Sequence, residues 1–359
     1  MTGIILALLS TTAAAERTES FISALVADKQ TVLFFELFVA SLVVIYVICF
    51  LYGSHQNLNL ARAVAHNLRN ILEYQFVSFG TEEGKTLLKD GQSYFWYHAT
   101  GRRNTSGLTV FLDLAKRMDI FSYTSGLMTS PERDRVVFYL PITNDVSMDP
   151  LTLFIVKRKE LDRLRNVEEG LALESVERFA GQVIDVNGFP SDLVTMTEHS
   201  DISTALLPER IRNMIARQAR NLISIHVTEN GAKWDAQCSV SKRLVRVEFV
   251  LPRQKSNLPD VLEDMCQIAI HFVDAVADTK MSATARKKAL ELRRRAQLEE
   301  EKKLQKARAE EAAARRIAKK KEEEEAVGKM SGDKQVKYEA KKRKKELNAR
   351  MKKSARKVV

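Results

Sequence analysis

The chain of 359 residues is long enough for one or two domains with a sizeable core. Its low counts of proline, 7, and glycine, 14, exclude a collagen-like or Pro/Gly-rich disordered chain. Its three cysteines, Cys49, Cys238 and Cys266, are too few for a disulfide framework and show no metal-ligand spacing. We therefore expect a protein of a reducing compartment that holds no zinc.

The net charge of +11 is concentrated at the C-terminal end. Residues 281–359 hold 28 Lys and Arg against 13 Asp and Glu, whereas the rest of the chain holds 29 against 33. A slightly acidic body with a strongly basic tail predicts a polyanionic partner for the tail, either nucleic acid or an anionic membrane surface.

Residues 1–15 have the pattern of a signal peptide, with an apolar run from Ile4 to Leu9 and small residues Ala13 and Ala15 before a cleavage position. Residues 16–30 would then be a short lumenal segment. Because a stop-transfer helix follows, we expect the N-terminus to be lumenal and everything after residue 53 to be cytosolic. The sequon at Asn104 would then carry no glycan.

Residues 31–52 predict a transmembrane helix, because only Thr31, Glu36 and Ser41 in this stretch are not apolar. Twenty-two helical residues span ~33 Å, which matches a hydrocarbon core of ~30 Å. Glu36 lies in the first two turns. Its carboxylate either reaches the membrane surface or contacts a polar group on a partner helix.

Residues 57–280 predict an α+β cytosolic body, and two subdomains meeting near residue 190 are one arrangement of it. Leu60 to Leu72 has the spacing of an amphipathic helix, a second helix is expected from Pro208 to Arg220, and a third begins at an Asn257 cap. Short β-type runs predict strands at residues 74–79, 94–100, 108–112, 135–140, 151–157, 193–197, 222–228 and 244–251.

The body shows no catalytic constellation, so we expect neither an enzyme nor a cofactor. Residues 80–86 resemble a phosphate-binding loop, but the glycine spacing is one residue short and favours a surface turn. The six histidines lack metal-binding spacing. Residues 94–97 are four aromatics, typical of a buried strand and alternatively of a base-stacking platform. Arg210, Arg217 and Arg220 form a solvated helix face or a phosphate contact.

Residues 281–327 predict a long charged helix, since good helix formers fill it and neither proline nor glycine interrupts it. A continuous apolar seam is missing, which favours a solvated helix over a coiled-coil dimer. Residues 328–359 form a basic helical tail suited to phosphate-backbone contact. Its candidate ribosome- or RNA-binding residues are Lys341, Lys342, Arg343, Lys344, Lys345, Arg350, Lys352, Lys353, Arg356 and Lys357.

The segments LYGSHQNLNLARAVAHN and YFWYHATGRRNTSGLTVFLDLAKR, with the single membrane helix and the tail rich in Lys, Arg and Glu, resemble the coiled-coil-domain-containing ER membrane proteins also called calumins. The resemblance covers roughly residues 30–359. It implies a PAT complex subunit in the ER membrane that pairs with an Asterix-like small membrane protein. It also implies an intramembrane chaperone for nascent multipass membrane proteins at a Sec61-type, multipass translocon, with tail helices that contact the ribosome and its rRNA.

The sequence departs from this family at its lumenal end. The animal members have a long acidic lumenal region linked to calcium binding, whereas residues 16–30 offer only Glu16, Glu19 and Asp28. We therefore expect no calcium site. The alternatives to a chaperone subunit are a general membrane-tethered protein that binds RNA or anionic lipid, and an ER calcium-homeostasis factor.

Overall fold

The computed structural model describes residues 29–80, 84–119, 133–161, 176–229, 243–252, 254–328 and scattered positions from 332 to 351. The predicted signal peptide, and all but the last two residues of the predicted lumenal segment, lie outside these ranges. The described chain is α+β and begins with a long apolar helix, as the sequence predicted. Its first compact unit ends at Leu290, and a second begins at Glu291.

The first helix, α1 (Lys29–Leu72), is continuous over 44 residues. The sequence suggested a membrane helix followed by a separate amphipathic helix, but no proline falls within α1 and the single Gly53 is too weak to end it. The surface of α1 changes along its length. Side chains from Leu33 to Val47 are exposed, whereas Val64, Leu68 and Leu72 are fully buried.

The described strands form one ten-stranded sheet with the order β1-β3-β4-β5-β10-β9-β6-β8-β7, and β2 pairs with β3. The strands are β1 (Ser78–Phe79), β2 (Leu87–Lys89), β3 (Tyr94–Thr100), β4 (Leu108–Asp113), β5 (Arg135–Pro141), β6 (Thr152–Lys157), β7 (Gln182–Ile184), β8 (Leu193–Thr197), β9 (Leu222–Thr228) and β10 (Leu244–Val250). All of these pairings are antiparallel.

The sheet is continuous across residue 190, so the arrangement in two subdomains is wrong. β8 pairs with β6, and β10 pairs with β5, so strands from both halves of the body alternate in one sheet. The predicted strand over residues 74–79 is also wrong for most of its length, because α1 ends in a turn at residues 73–75 and only Ser78–Phe79 is a strand.

Helices cover one face of the sheet and enclose the main core. They are α2 (Ser200–Leu206), α3 (Glu209–Arg217), α4 (Leu258–Asp278) and the body-packed half of α1. Phe95, Tyr97 and Phe138 face this core. The predicted cap on α4 is wrong in detail: Asn257 has helical φ and ψ, so its side chain makes no cap hydrogen bond.

The last regular helix, α5 (Ala283–Gly328), has 46 residues. Its first turns belong to the body, where Ala285 and Ala289 are buried. In the second unit, Arg295 pairs with Glu291 at 2.5 Å and Arg315 pairs with Glu311 at 2.7 Å, both at i,i+4 spacing. Such pairs stabilise a solvated helix by a few tenths of a kcal/mol each.

Candidate functional site: the membrane helix and its junction with the body

The first half of α1 has the surface of a membrane span. Among the described residues, one helix is long and apolar enough to cross a bilayer, and none of its apolar window is buried within the protein. Phe34, Leu37 and Ile48 are each more than half exposed. The core helix of a soluble protein would bury these side chains, so the exposed apolar surface favours contact with lipid.

Glu36 is the charged residue of this surface. It lies one turn from Leu33, and its side chain is exposed on the helix. The other polar group nearby, the Ser41 hydroxyl, donates a hydrogen bond to the Phe38 carbonyl at 2.7 Å and is therefore satisfied by its own helix. A carboxylate facing lipid needs water or a polar partner.

The helix meets the body immediately after Tyr52. A Cβ atom at Gly53 would lie 2.6 Å from the Met118 nitrogen and would also overlap the Arg117 carbonyl, so only glycine permits this approach. One residue later, the Ser54 hydroxyl donates to the Gln92 side chain. The backbone at residues 117–118 therefore packs directly against α1 where its apolar surface ends.

Asn57 fixes the junction with hydrogen bonds to two loops. Its side chain is fully buried, and Nδ2 donates to the carbonyls of Gln92 at 3.2 Å and Ala115 at 3.0 Å. Its Oδ1 accepts from the Arg117 guanidinium at 2.8 Å. The same guanidinium binds both carboxylate oxygens of Asp134, at 2.8 and 2.6 Å. This bidentate pair holds Arg117 in place for Asn57.

Sequence reasoning missed this junction. A polar Asn57 four residues before the buried Ala61, on the body-facing stripe of α1, was the available signal. Its partners lie far away in sequence, because Ala115 is 58 residues further along the chain. The spacing of one helix does not reveal which loops meet it.

The far end of α1 is also anchored. Gln75, just after the helix, accepts a hydrogen bond from Arg102, which also pairs with Asp274 of α4 at 2.6 Å. Asn104 lies in the same cluster, and its Nδ2 donates to Asp274 at 3.4 Å. The start of β3 therefore lies near the membrane-side end of the packed half of α1, and the end of β3 lies near its far end.

An open groove of about 1230 Å³ lies beside the junction. Its lining includes four arginines, Arg117, Arg133, Arg217 and Arg220, and four carboxylates, Asp134, Asp260, Glu263 and Asp264. Arg217 forms two hydrogen bonds to Asp264, at 3.0 and 2.5 Å. Arg210 instead faces Gln267 at 3.4 Å. The three arginines suggested as a phosphate contact therefore do not converge as free cations.

The aromatic segment of residues 94–97 divides between the two faces of the sheet. Phe95 and Tyr97 are buried in the main core, as expected for a central strand. Trp96 lies on the other face, 4.4 Å from Phe111 between ring centroids, and Tyr94 stacks on the same ring at 5.8 Å. Phe111 occupies the face of Trp96, so the aromatic run does not form one open platform.

Burial is the main cause of the strong pKa shifts of His226, Cys266 and Tyr97. Desolvation, with a smaller contribution from Arg246, lowers the pKa of His226 to about 3. Burial raises the pKa of the Cys266 thiol and of the Tyr97 hydroxyl well above their ordinary values. No group of three or more His, Cys, Asp or Glu that could hold a metal ion occurs within the described ranges. These groups belong to the packed core.

Part of the predicted basic site falls within the described positions. Lys341, Arg343 and Lys344 are helical and exposed. The rest of the predicted set lies outside the described residues: Lys342, Lys345, Arg350, Lys352, Lys353, Arg356 and Lys357.

The family of the chain follows from comparison with known sequences. The profile of the family described as PAT complex subunit CCDC47 matches residues 33–348, which include the membrane helix, the junction and the body. The chain belongs to this family. The CCDC47 membership agrees with the resemblance seen in the sequence, and the family is associated with the ER.

Individual relatives are distant. The PAT complex subunit CCDC47 of Danio rerio is 22% identical over 276 residues, covering 71% of this chain and 55% of the relative. The Homo sapiens protein of that name is 22% identical over 271 residues, with 70% and 55% covered. An uncharacterized Arabidopsis thaliana protein is 25% identical over 259 residues, with 68% and 51% covered. The chain thus spans about half the length of the curated relatives it matches.

A solved structure, the mycobacterial trehalose monomycolate transport factor A, TtfA, is 8% identical to the chain. The match covers 62% of this chain and 99% of that one, with a TM-score of 0.26. A score this low supports no statement about a shared fold.

Proposed function

We propose that the chain is a non-enzymatic subunit of a PAT-type complex in the ER membrane. In this role it docks on the ribosome and a Sec61-type translocon, and assists the insertion and folding of multipass membrane proteins. The observation that carries the proposal is the CCDC47 family match over residues 33–348. The exposed apolar half of α1 supports it, because an intramembrane chaperone needs a surface inside the bilayer.

The membrane half of α1 is the proposed contact for an Asterix-like small membrane protein. Glu36 is the residue best suited to a polar contact, because a partner's donor would satisfy its carboxylate within the bilayer. The neighbouring apolar side chains would pack against the partner helix or a nascent multipass protein. The Gly53–Asn57 junction would hold this surface at a fixed orientation to the body.

The proposed topology places the N-terminus in the lumen and the body in the cytosol. The contacts of Asn104, which lies in a glycosylation sequon, support the cytosolic side for the body. The atom to which a glycan would be attached, Nδ2, donates to Asp274, and the backbone of Asn104 is held at a φ of 67°. A glycan on Nδ2 would leave this atom a single N–H and would lie next to the Asp274 contact.

The basic tail is the proposed ribosome contact. From Lys329 to the end, the chain has 13 Lys and Arg against 3 Asp and Glu. Ribosomal RNA is a dense polyanion, so each phosphate contact displaces condensed counterions and makes binding salt-dependent. The exposed helical positions Lys341, Arg343 and Lys344 support this contact, because such side chains can reach a phosphate backbone.

Cosedimentation of full-length protein with ribosomes tests the proposal. Replacing Lys341, Lys342, Arg343, Lys344 and Lys345 by Gln should weaken binding. It should also flatten the slope of log affinity against log salt, by ~0.9 for each phosphate group that the variant no longer binds if rRNA behaves like duplex DNA. The matched control replaces five basic residues of α5 by Gln, Lys302, Lys303, Lys306, Arg308 and Arg315. Truncation after Gly328 should remove most of the affinity.

Two results would contradict the docking proposal. Unchanged salt sensitivity after truncation would show that the tail is not the docking element. An equal decrease in affinity in the control and the tail variant would indicate a general effect of net charge, as expected for a membrane-tethered RNA binder. Copurification of an Asterix-like protein with translocon components separates the chaperone subunit from such a binder.

A further inference from the structure

The position of one edge of the sheet relative to the bilayer follows from the junction. If the predicted span, residues 31–52, fills the hydrocarbon core, the membrane boundary lies near Tyr52. Gly53 and Asn57 are then about 1.5 Å and 7.5 Å beyond it along the helix axis. The headgroup layer of one leaflet is ~5–7.5 Å thick, so Gly53 lies within it and Asn57 at its outer limit. Groups that contact α1 between Gly53 and Asn57 therefore lie at the depth of the headgroups.

Two segments make these contacts, and they are distant from α1 in sequence. Residues 89–93 reach it through Gln92, and residues 114–118 reach it through the Ala115 carbonyl and the backbone at Met118. The segments are joined to each other, because the Leu114 nitrogen donates to the Ser93 carbonyl at 2.9 Å. One segment precedes β3 and the other follows β4, so both lie at the same end of these two strands. We call these two segments the membrane-proximal edge of the sheet.

We propose that the membrane-proximal edge lies in the lipid headgroup layer, where Lys89 and Lys116 bind lipid phosphate groups. This inference rests on the membrane span of the proposed function. Both lysine side chains are exposed, one on each segment of the edge. An ammonium group is a compact donor that suits a phosphate oxygen, and its aliphatic stem can lie along the apolar boundary.

Lys89 keeps its charge available to a headgroup, whereas Lys116 already has a contact within the protein. The Lys89 ammonium donates to Gln92 Oε1 at 2.7 Å, and this neutral amide leaves the positive charge uncompensated. Asp119 lies three residues after Lys116 and opposes part of its charge. An ammonium group has three donors, so one such contact still leaves others for a phosphate oxygen.

The other charged groups of the edge are engaged within the body. Arg117 is bound to Asp134 at 2.6 Å, so that pair is neutral. Asp90 accepts a hydrogen bond from the Trp96 indole at 3.3 Å. The preference for anionic lipid is therefore expected to be modest, since each basic residue near an anionic surface contributes a small increment.

A photoreactive residue at position 116 tests the depth of the edge. The full chain is reconstituted in nanodiscs of phosphatidylcholine and phosphatidylserine, and adducts are identified by mass spectrometry. Lipid adducts are expected at position 116 and at position 45 within the span. Position 287, an exposed lysine at the start of α5, is the matched control and should give none.

The outcomes separate this inference from the membrane span itself. Lipid adducts at position 45 but not at 116 would overturn the headgroup site and leave the span intact. Absence of lipid adducts at both positions would overturn the span as well. In ribosome-bearing membranes, RNA or protein adducts at position 116 in place of lipid would show that the edge faces another macromolecule, which also overturns the site.

A charge variant tests the role of the two lysines. In phosphatidylserine-containing nanodiscs, binding of the edge to headgroups should raise the unfolding temperature of the body by about 4 °C over phosphatidylcholine alone. The double variant Lys89→Gln/Lys116→Gln should lose this rise. The double variant Lys287→Gln/Lys288→Gln, with the same change in charge at exposed positions, should keep it. A rise that survives in the first variant would show that these two lysines do not bind the anionic headgroups, which would overturn the site.

Discussion

At Asn57, α1 passes from its exposed apolar half to the half that packs on the body. Before Gly53 the helix presents apolar side chains outward, and from Asn57 onward one stripe is buried in the body. A fully buried amide is costly unless its polar atoms are paired, and both amide atoms of Asn57 are paired with groups from distant loops. One residue therefore links the membrane helix, the β2–β3 turn and the segment after β4.

Glu36 is the residue whose replacement tests the partner contact inside the bilayer. Glu36→Leu should lower copurification of an Asterix-like protein about 5- to 30-fold, since an interhelical polar contact in a membrane contributes ~1–2 kcal/mol at most. Glu36→Gln should retain part of the binding. Ser41→Ala is the matched control, because that hydroxyl is already bound to the Phe38 carbonyl. Unchanged copurification of Glu36→Leu would show that the carboxylate simply reaches interfacial water.

His226 should make the stability of the body pH-dependent. Burial lowers its pKa from 6.5 to about 3 in the folded protein, so below pH 6.5 the unfolded chain binds a proton that the folded chain does not. The stabilising contribution of neutral His226 is therefore fully present above pH 6.5. Below pH 6.5 the free energy of unfolding falls by roughly 1.4 kcal/mol per pH unit as the pH drops toward 3. Burial lowers the pKa of His98 and His271 in the same direction.

Denaturant unfolding at a series of pH values measures this effect. His226→Gln should reduce the slope of unfolding free energy against pH below 6.5. His66→Gln, which changes an exposed histidine, should leave the slope as it is. A slope that is the same in the His226 variant and the wild type would show that other groups control the acid response.

At the scale of elements, periodicity predicted the longer strands and failed at the ends of elements. β3, β5, β9 and β10 have seven residues each and were recognised from their apolar patterns. β2 and β7 have only three residues, too few to show an alternation, and were missed. The strand predicted over residues 74–79 failed because aromatic and β-branched residues there follow directly on the end of α1.

The junction illustrates what a single sequence leaves open. The pattern of α1 indicated both a lipid-facing and a body-facing half, and composition indicated where one ended. The contacts of Gly53 with residues 117–118 depend on how β3 and β4 pair and on the turn that follows them. Such long-range packing leaves no local pattern in the sequence. The helix of the candidate site could therefore be predicted, but its contacts with the loops of the body could not.

At the scale of the whole molecule, the side of the membrane that holds the body can be tested by glycosylation. In microsomes, the native Asn104 sequon should carry no glycan, and added protease should digest the body. Thr18→Asn, which completes a sequon with Ser20, is the positive control for a lumenal segment and should gain a glycan. A glycan on Asn104 with none at position 18 would reverse the proposed topology.

Because α1 is one continuous helix, a rotation of the body about Gly53 would move the membrane half of α1 with it. No hinge separates the lipid-facing half from the half that is pinned to the sheet by Asn57 at one end and by the Gln75–Arg102 contact at the other. Glu36 lies 17 residues from Gly53, about 25 Å along the axis. A body rotation of about 10° would swing Glu36 sideways by about 4 Å, enough to exchange one neighbouring side chain for the next.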